Sequence, residues 1–562
     1  MKNQILTIMA AATLLTSTTG CIKEIDPQTS IATKNQVAAA PGVFDSFVGA
    51  LTSTLTGQFV YGGADNKYAN DFGLPSFWLM RDVSGNDLVY PYQNWYSSWY
   101  GATGLGPSTR NAQYPWTYYY KWIKSCNEVI FMAGEEPIET QKAGAAKAYA
   151  LRAYYYMDLA RMFAQEPYGK NKEAVTVPII DEKTTSNQSL SNPRATNEVM
   201  WDFILSDLNK AEALYEGYTR TDVYDMDQSV VYGLKARAYL EMEDWANAEK
   251  YAKLAQAGYT MMDEAAYTSW ETGFNTPNAS WMFAITYKSD DPCITVNDAD
   301  SSWGSMMCIE IDPKNSGCGY AANYGQPFVI DYHLYNTIPA TDWRKKCYVD
   351  FAIDDMSRAD QLTALSAYTN HPDWLLDGCG AAVHDNGYEY TVGGLELKFR
   401  TAGGEAGRAN QYIGFVVAIP LMRVEEMYLI EAEAAGMQQE SRGIQLLTAF
   451  AKTRDANYTY GEHGHETYYN TSTSQFQNEV WWQRRVELWG EGFATFDIKR
   501  LQKGIIRSYP GTNHTENYRW NVESVPSWMS WCIVQTETNY NTACTNNPEP
   551  VPPTSDSSEY QW

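Results

Sequence analysis

The stretch VVYGLKARAYLEMEDWANAEKYAKLAQAG, Val230 to Gly258, constrains the fold more than any other part of the chain. It divides into two helical segments around Glu243-Asp244. Tyr232, Ala236 and Tyr239 lie on the first, and Ala248, Ala252 and Ala255 on the second, at helical spacing. Small side chains let two antiparallel helices approach, and the aromatics fill the gap near the turn; this is the tetratricopeptide pattern. Pro420 to Ala451 (PLMRVEEMYLIEAEAAGMQQESRGIQLLTAFA) repeats the theme. Lys142 to Phe163 (KAGAAKAYALRAYYYMDLARMF) has the same texture of Ala and aromatics. The expected fold is mainly α, a tetratricopeptide-like helical-repeat scaffold.

Further helices are expected over Phe44 to Leu55, Trp116 to Met132 and Ala195 to Tyr215, the last opening on the N-cap chemistry of Thr196-Asn197-Glu198. Between about 260 and 415 helical periodicity fades. Gly, Pro, Asn, Asp and Cys punctuate the chain, and a strand-like run, Trp281 to Tyr287 (WMFAITY), stands among them. This segment reads as an irregular, loop-rich cap with short strands. The last 18 residues, TNNPEPVPPTSDSSEYQW, read as a flexible Pro/Ser tail. The expected division is a signal peptide over 1–20, a lipidated tether over 21–40, scaffold over 41–260, cap over 261–415, scaffold again over 416–510, and a C-terminal segment with its tail over 511–562.

The N-terminus carries Lys2, then a mostly apolar run from Ile5 to Leu15, too short to span a bilayer as a helix. Thr18-Thr19-Gly20-Cys21 follows. A small residue before Cys at the end of a signal peptide resembles a bacterial lipobox, with Thr18 where an aliphatic residue is usual. Cys21 is therefore the expected lipidation site, giving a protein anchored to a membrane without spanning it. Of the other cysteines, Cys293, Cys308, Cys318, Cys347 and Cys379 cluster, and one or two disulfides are expected there. They lack the CxxC pairs of a zinc site, and no metal or cofactor role is expected. The net charge of −25 argues against nucleic acid as partner and against an anionic main ligand.

With 19 Trp and 42 Tyr against 18 Phe, the chain favours aromatics with a polar handle over plain bulk. The densest loop-like cluster is YPYQNWYSSWYGATG, Tyr90 to Gly104. Its Trp and Tyr, with Asn and Gln between them, suit a surface that is half wet and half covered.

In chain order, Cys21 is followed by ALRAYYYMDLARMFAQEPYG (150–169), EVMWDFILSDLNKAEALY (198–215), the repeat at 230–258, PLMRVEEMYLIEAEA (420–434) and RRVELWGEGFATFDIKR (484–500). This ordered set resembles the SusD/RagB family of nutrient-uptake surface lipoproteins, over most of the mature chain. The closing segment departs slightly: Trp489 and Ala494-Thr495 stand where the family more often has Phe and His-Arg. The resemblance implies paired tetratricopeptide helices under an irregular cap. It implies an outer-membrane lipoprotein over a SusC-like TonB-dependent transporter, capturing a glycan without chemistry upon it. Trp and Tyr stack on the C–H faces of sugars while Asn, Asp, Gln and Arg bond the hydroxyl edges, so the resemblance makes Trp95, Tyr96 and Trp99 the expected platforms, with Asn94 as polar partner. It also implies a second platform from the central region, for which Trp303 is the candidate, ahead of Trp374. An oligopeptide ligand, or a surface glycoside hydrolase, are the competing readings.

The remaining chemistry-bearing groups read as structural. Arg81 to Asp87 is expected to be a self-capped polar turn, with lining of the same cleft as the alternative. Trp116 to Trp122 belongs to a helix core. Arg484, Arg485, Glu487, Asp497, Lys499 and Arg500 form an expected ion-pair network. Glu425 and Glu426 point about 100° apart on a helix and cannot flank one glycosidic bond. His463 and His465 have no partner motif for metal, and Asp298 and Asp300 lack EF-hand spacing.

Overall fold

A computed structural model describes residues 40–58, 68–90, 95–314, 319–380, 391–554 and 557–562. The scaffold helices are α1 (Val43–Ser53), α2 (Leu74–Asp82), α3 (Arg110–Ala133), α4 (Lys142–Phe163), α5 (Asn197–Leu214), α6 (Gln228–Glu241), α7 (Trp245–Ala255), α8 (Val424–Gln438), α9 (Glu440–Ala451), α10 (Gln475–Glu487) and α11 (Ala494–Arg500). The fold is mainly α, as its periodicity predicts. Thr196 Oγ1 accepts from the Val199 amide and caps α5. The α6–α7 turn holds Glu243 at φ 58° and uses Asp244 to cap α7. Helix α3 starts before Trp116 and runs through Pro115, a residue that on sequence marks a boundary.

Helices α6 and α7 meet through Ala236, Ala248, Ala252 and Ala255, all inaccessible to solvent. Tyr232 and Tyr239 close the gap against Tyr251, with ring centroids 5.9 and 5.5 Å away. Helix α7 then packs on α8, and α8 on α9. The chain between α7 and α8 is thus an insertion into a continuous helical stack. Helices α8 and α9 touch at Gly436 and Gly443, where a Cβ on Gly443 would lie 2.3 Å from the Gly436 Cα.

Three antiparallel two-stranded ribbons fasten the irregular parts: β1 (Leu88–Val89) with β3 (Val329–Ile330), β2 (Trp281–Thr286) with β4 (Ala418–Arg423), and β5 (Ile505–Ile506) with β6 (Asn521–Val522). The WMFAITY run is β2. Its partner β4 takes residues 420–423 out of the expected second helical repeat, so the helix begins at Val424. Pro420, opposite Ala284, is tolerated because a two-stranded ribbon has an unpaired edge. The β2–β4 ribbon joins the two ends of the insertion. The β1–β3 ribbon ties the exit of α2 to the cap, whose satellite core includes Val89, Ile309, Val349, Leu375 and Leu397.

Two expectations are corrected. The described cysteines of the 293–379 cluster, Cys293, Cys308, Cys347 and Cys379, are free, buried thiols; Cys318 lies outside the described residues, as does Cys21. The described part of the tail is docked. Tyr560 N donates to Ser508 O, and the Trp562 indole lies flat on His333 with centroids 3.4 Å apart. Aromatic side chains near the end of the segment overcome its polar composition.

The basic and acidic residues of 484–500 make a buried network. Arg484 and Arg500 both meet Asp497 at 2.7 Å, Arg485 meets Asp87 and Glu466, and Glu487 meets Arg344, Arg423 and Arg454. Lys499 differs: its ammonium donates to the carbonyls of Arg161, Ala164 and Met529, and burial lowers it to about 7.

Candidate functional site

The aromatic run from Tyr90 is not the open loop its composition implies. Tyr90 is buried beside Phe328, and residues 91–94, Asn94 among them, lie outside the described residues. The chain then enters a short helix, Ser97–Tyr100. Helical spacing gives positions 96, 99 and 100 one face, and that face points inward. Tyr96 and Trp99 are at most 1% exposed, and the Tyr96 ring packs on Phe328 and Trp99. Trp303 is also 1% exposed, held edge-on between Trp78 and Phe399 with centroids 6.1 and 5.2 Å away. The expectation of open stacking faces at Tyr96, Trp99 and Trp303 is therefore corrected: these rings are core.

Trp95 is different. It precedes that helix, is half-buried, and joins a row of partly open aromatics across the scaffold–cap junction. On one side the Tyr68 ring meets it edge-on at 5.6 Å, with the Arg110 guanidinium 3.9 Å over the Tyr68 ring. Asn70 links the two: its Nδ2 donates to Trp95 O, and its Oδ1 accepts from Arg110 Nη1. On the other side the indole N–H of Trp95 donates to the Tyr320 hydroxyl. Tyr320 packs on Tyr324, centroids 5.0 Å apart, and Tyr324 is 41% exposed. The Tyr324 hydroxyl donates to Asp300 at 3.4 Å, and the Tyr412 hydroxyl donates to Asp298 at 3.0 Å. Residues 297–299 all have positive φ, between 52° and 61°. Three such non-glycine residues in a row are costly, and they turn this segment sharply at the end of the row.

The β1–β3 ribbon is what brings the two halves together. Trp95 follows β1, and Tyr320 and Tyr324 precede β3. Tyr68, Arg110, Tyr320, Tyr324 and Tyr412 were not legible as site residues in the sequence. The available signal was aromatics among Gly, Ala and Asn (GYAANYG, NQYIG) with no helical partners in register.

The other candidates have structural partners. Arg81 pairs with Asp158, Asp82 accepts from the Gly492 and Ala494 amides, and Asp87 pairs with Arg485. Burial pushes the Asp82 carboxyl up to about 7. The 81–87 turn is thus a buried strut, without the self-capping expected of it. Glu425 faces Arg423 and Arg454 while Glu426 pairs with Arg237. His463 lies flat on Trp482, and burial lowers its imidazole to about 4; His465 is exposed. Trp374 is half-buried and stacked on His371. Among the described residues no group of three His, Cys, Asp or Glu is placed to hold a metal ion.

Two family models match the sequence. Residues 78–240 match a SusD-like family described as starch-binding and associating with the outer membrane, and residues 331–549 match the SusD family. Together they span more than half of the chain. It belongs to the SusD-like family. SusD-like structures share its fold over nearly their whole length. A SusD-like carbohydrate binding protein from Bacteroides vulgatus ATCC 8482 superposes with a TM-score of 0.69 at 21% identity, covering 90% of this chain and 97% of that one. A SusD superfamily protein from Bacteroides thetaiotaomicron VPI-5482 gives 0.63 at 18%, covering 90% and 99%. A laminarin binding SusD-like protein gives 0.57 at 15%, covering 90% and 98%. At these identities the likeness is one of fold. No curated protein sequence matches. No helix among the described residues is long and apolar enough to cross a membrane.

Proposed function

We propose that this SusD-like protein binds an oligo- or polysaccharide along the row Tyr68, Trp95, Tyr320 and Tyr324, and passes it uncut to a SusC-like TonB-dependent transporter. In this reading a lipid on Cys21 holds it on the outer membrane, facing outward. The observation that carries the reading is the half-open aromatic row at the scaffold–cap junction, edged by Asn70, Asp298 and Asp300. Its rings offer flat apolar area at low conformational cost, and its edges offer hydrogen-bond acceptors, which suits a sugar. The family description and the names of the structural neighbours support a glycan over a peptide.

The test is a panel of soluble polysaccharides and oligopeptides in affinity electrophoresis and calorimetry, with chromatography of the ligand after incubation. Retention by one glycan class, recovered at its original length, is the expected result. Shortened products would replace the reading by a hydrolase, and peptide binding alone by an oligopeptide carrier. Cys21→Ala is expected to move the protein from the membrane to the soluble fraction. Purification from detergent-solubilised membranes is expected to bring a TonB-dependent barrel with it; a barrel-free preparation would remove the delivery step.

A further inference from the structure

Resting on that reading, we infer that the row selects uncharged glycans and rejects those carrying carboxylate or sulfate groups, with Asp298 and Asp300 as the discriminating residues. The cap end of the row is closed by these two carboxylates. Asp298 is exposed and accepts from Tyr412; Asp300 is buried and accepts from the Gly319 amide at 2.9 Å and from Tyr324. Both tyrosine hydroxyls thus spend their proton on a carboxylate. What this end presents to a ligand is oxygen lone pairs and negative charge. Sugar hydroxyls can donate to such a surface; a uronate or sulfate ester brings only acceptors and a like charge.

Among the described residues, the positive charge at the other end of the row is that of Arg110, and it does not offset this. Arg110 lies flat on Tyr68, donates to Asn70, and is half-buried beside Asp71. Its planar face is covered and one arm of its fork is already used, so it is poorly placed to take an anion in a two-point grip. Among the described residues no Lys or Arg acts on Asp300; burial raises its carboxyl, Gly319 and Tyr324 bond it, and the exposed Asp298 beside it carries the negative charge of this end. The net charge of −25 adds a field that repels polyanions before contact, more strongly at low salt.

The experiment uses matched pairs: each neutral polysaccharide of the panel alongside its own carboxymethylated derivative, titrated into the full mature protein at low and high salt. The neutral member is expected to bind about tenfold or more tightly than its derivative at low salt, a gap that narrows as salt screens it. Asp298→Asn is expected to reduce the gap and Asp298→Lys to abolish it; both change an exposed side chain and spare the core. Equal or tighter binding of the derivative by the wild-type protein would overturn the inference, as would a gap unchanged in Asp298→Lys. Failure of every pair to bind in either form would remove the glycan reading itself, and the selectivity with it.

Discussion

Trp95 and Trp99 are four residues apart and live in opposite surroundings. One is half-open beside Tyr68 and Tyr320; the other is core. Their alanine variants are therefore expected to fail differently. Trp99→Ala and Trp303→Ala each remove a fully buried indole and are expected to cost about 3–5 kcal/mol of folding stability, read by denaturant titration. Trp95→Ala is expected to leave stability nearly unchanged. The abundance of Trp and Tyr was legible in the sequence, but their directions were not. A single helical turn at 97–100 decides which rings face inward, and its short length leaves no periodic signal. The burial of Glu396 was equally invisible. Glu396 accepts from the Lys398 and Phe399 amides, and burial pushes its carboxyl up to about 8. The folded protein keeps that proton up to about pH 8, while the unfolded chain releases it near the ordinary glutamate value. The folded state binds more protons in between, so this group's contribution to stability falls as pH rises through the window. Glu396→Gln is expected to be stabilising relative to wild type by roughly 2–4 kcal/mol at pH 9, with little difference at pH 5, in paired melts. An equal effect at both pH values would refute the assignment.

At the scale of elements, the repeat pattern was the most legible feature because it is a packing requirement written as spacing. Ala236, Ala248, Ala252 and Ala255 are all at the α6–α7 contact. The α8–α9 pair uses glycine in the same way. Gly443→Ala would press a methyl group into the Gly436 backbone and is expected to cost about 1–3 kcal/mol. Gly49→Ala on α1, with nothing within 4 Å of the added carbon, is expected to be neutral or stabilising by about 0.5–1 kcal/mol. Equal effects in the two variants would contradict close helix approach as the reason for the glycines. Boundaries were less legible where a local rule yielded to packing. Helix α3 runs through Pro115, and residues 420–423 leave the helical pattern to pair with β2. The cap's position could not be read at all, since it depends on two ribbons whose strands are far apart in sequence.

Across the whole molecule one hydrophobic core runs from Phe44 to Cys544, through scaffold and cap alike. The described thiols are all buried, five of them in this core and Cys379 in the satellite core of the cap, and burial raises each of them above the ordinary cysteine value. An irregular cluster of Cys in a chain that reads as exported suggests disulfides, but here the described residues act as small apolar side chains. The seven described thiols are expected to resist an aromatic disulfide reagent in the native protein and to react once it is denatured, with a melting temperature indifferent to reductant. A large loss of stability on reduction would show that disulfides hold the cap. In the proposed reading the scaffold's role is to hold Tyr68 and Trp95 against Tyr320 and Tyr324. The most direct measurement is a calorimetric titration of the retained glycan into wild type and Trp95→Ala, with melting curves alongside. The expected result is a loss of about 2 kcal/mol of binding, roughly thirtyfold, at an unchanged melting temperature. Wild-type affinity in Trp95→Ala would contradict the placement of the site on this row.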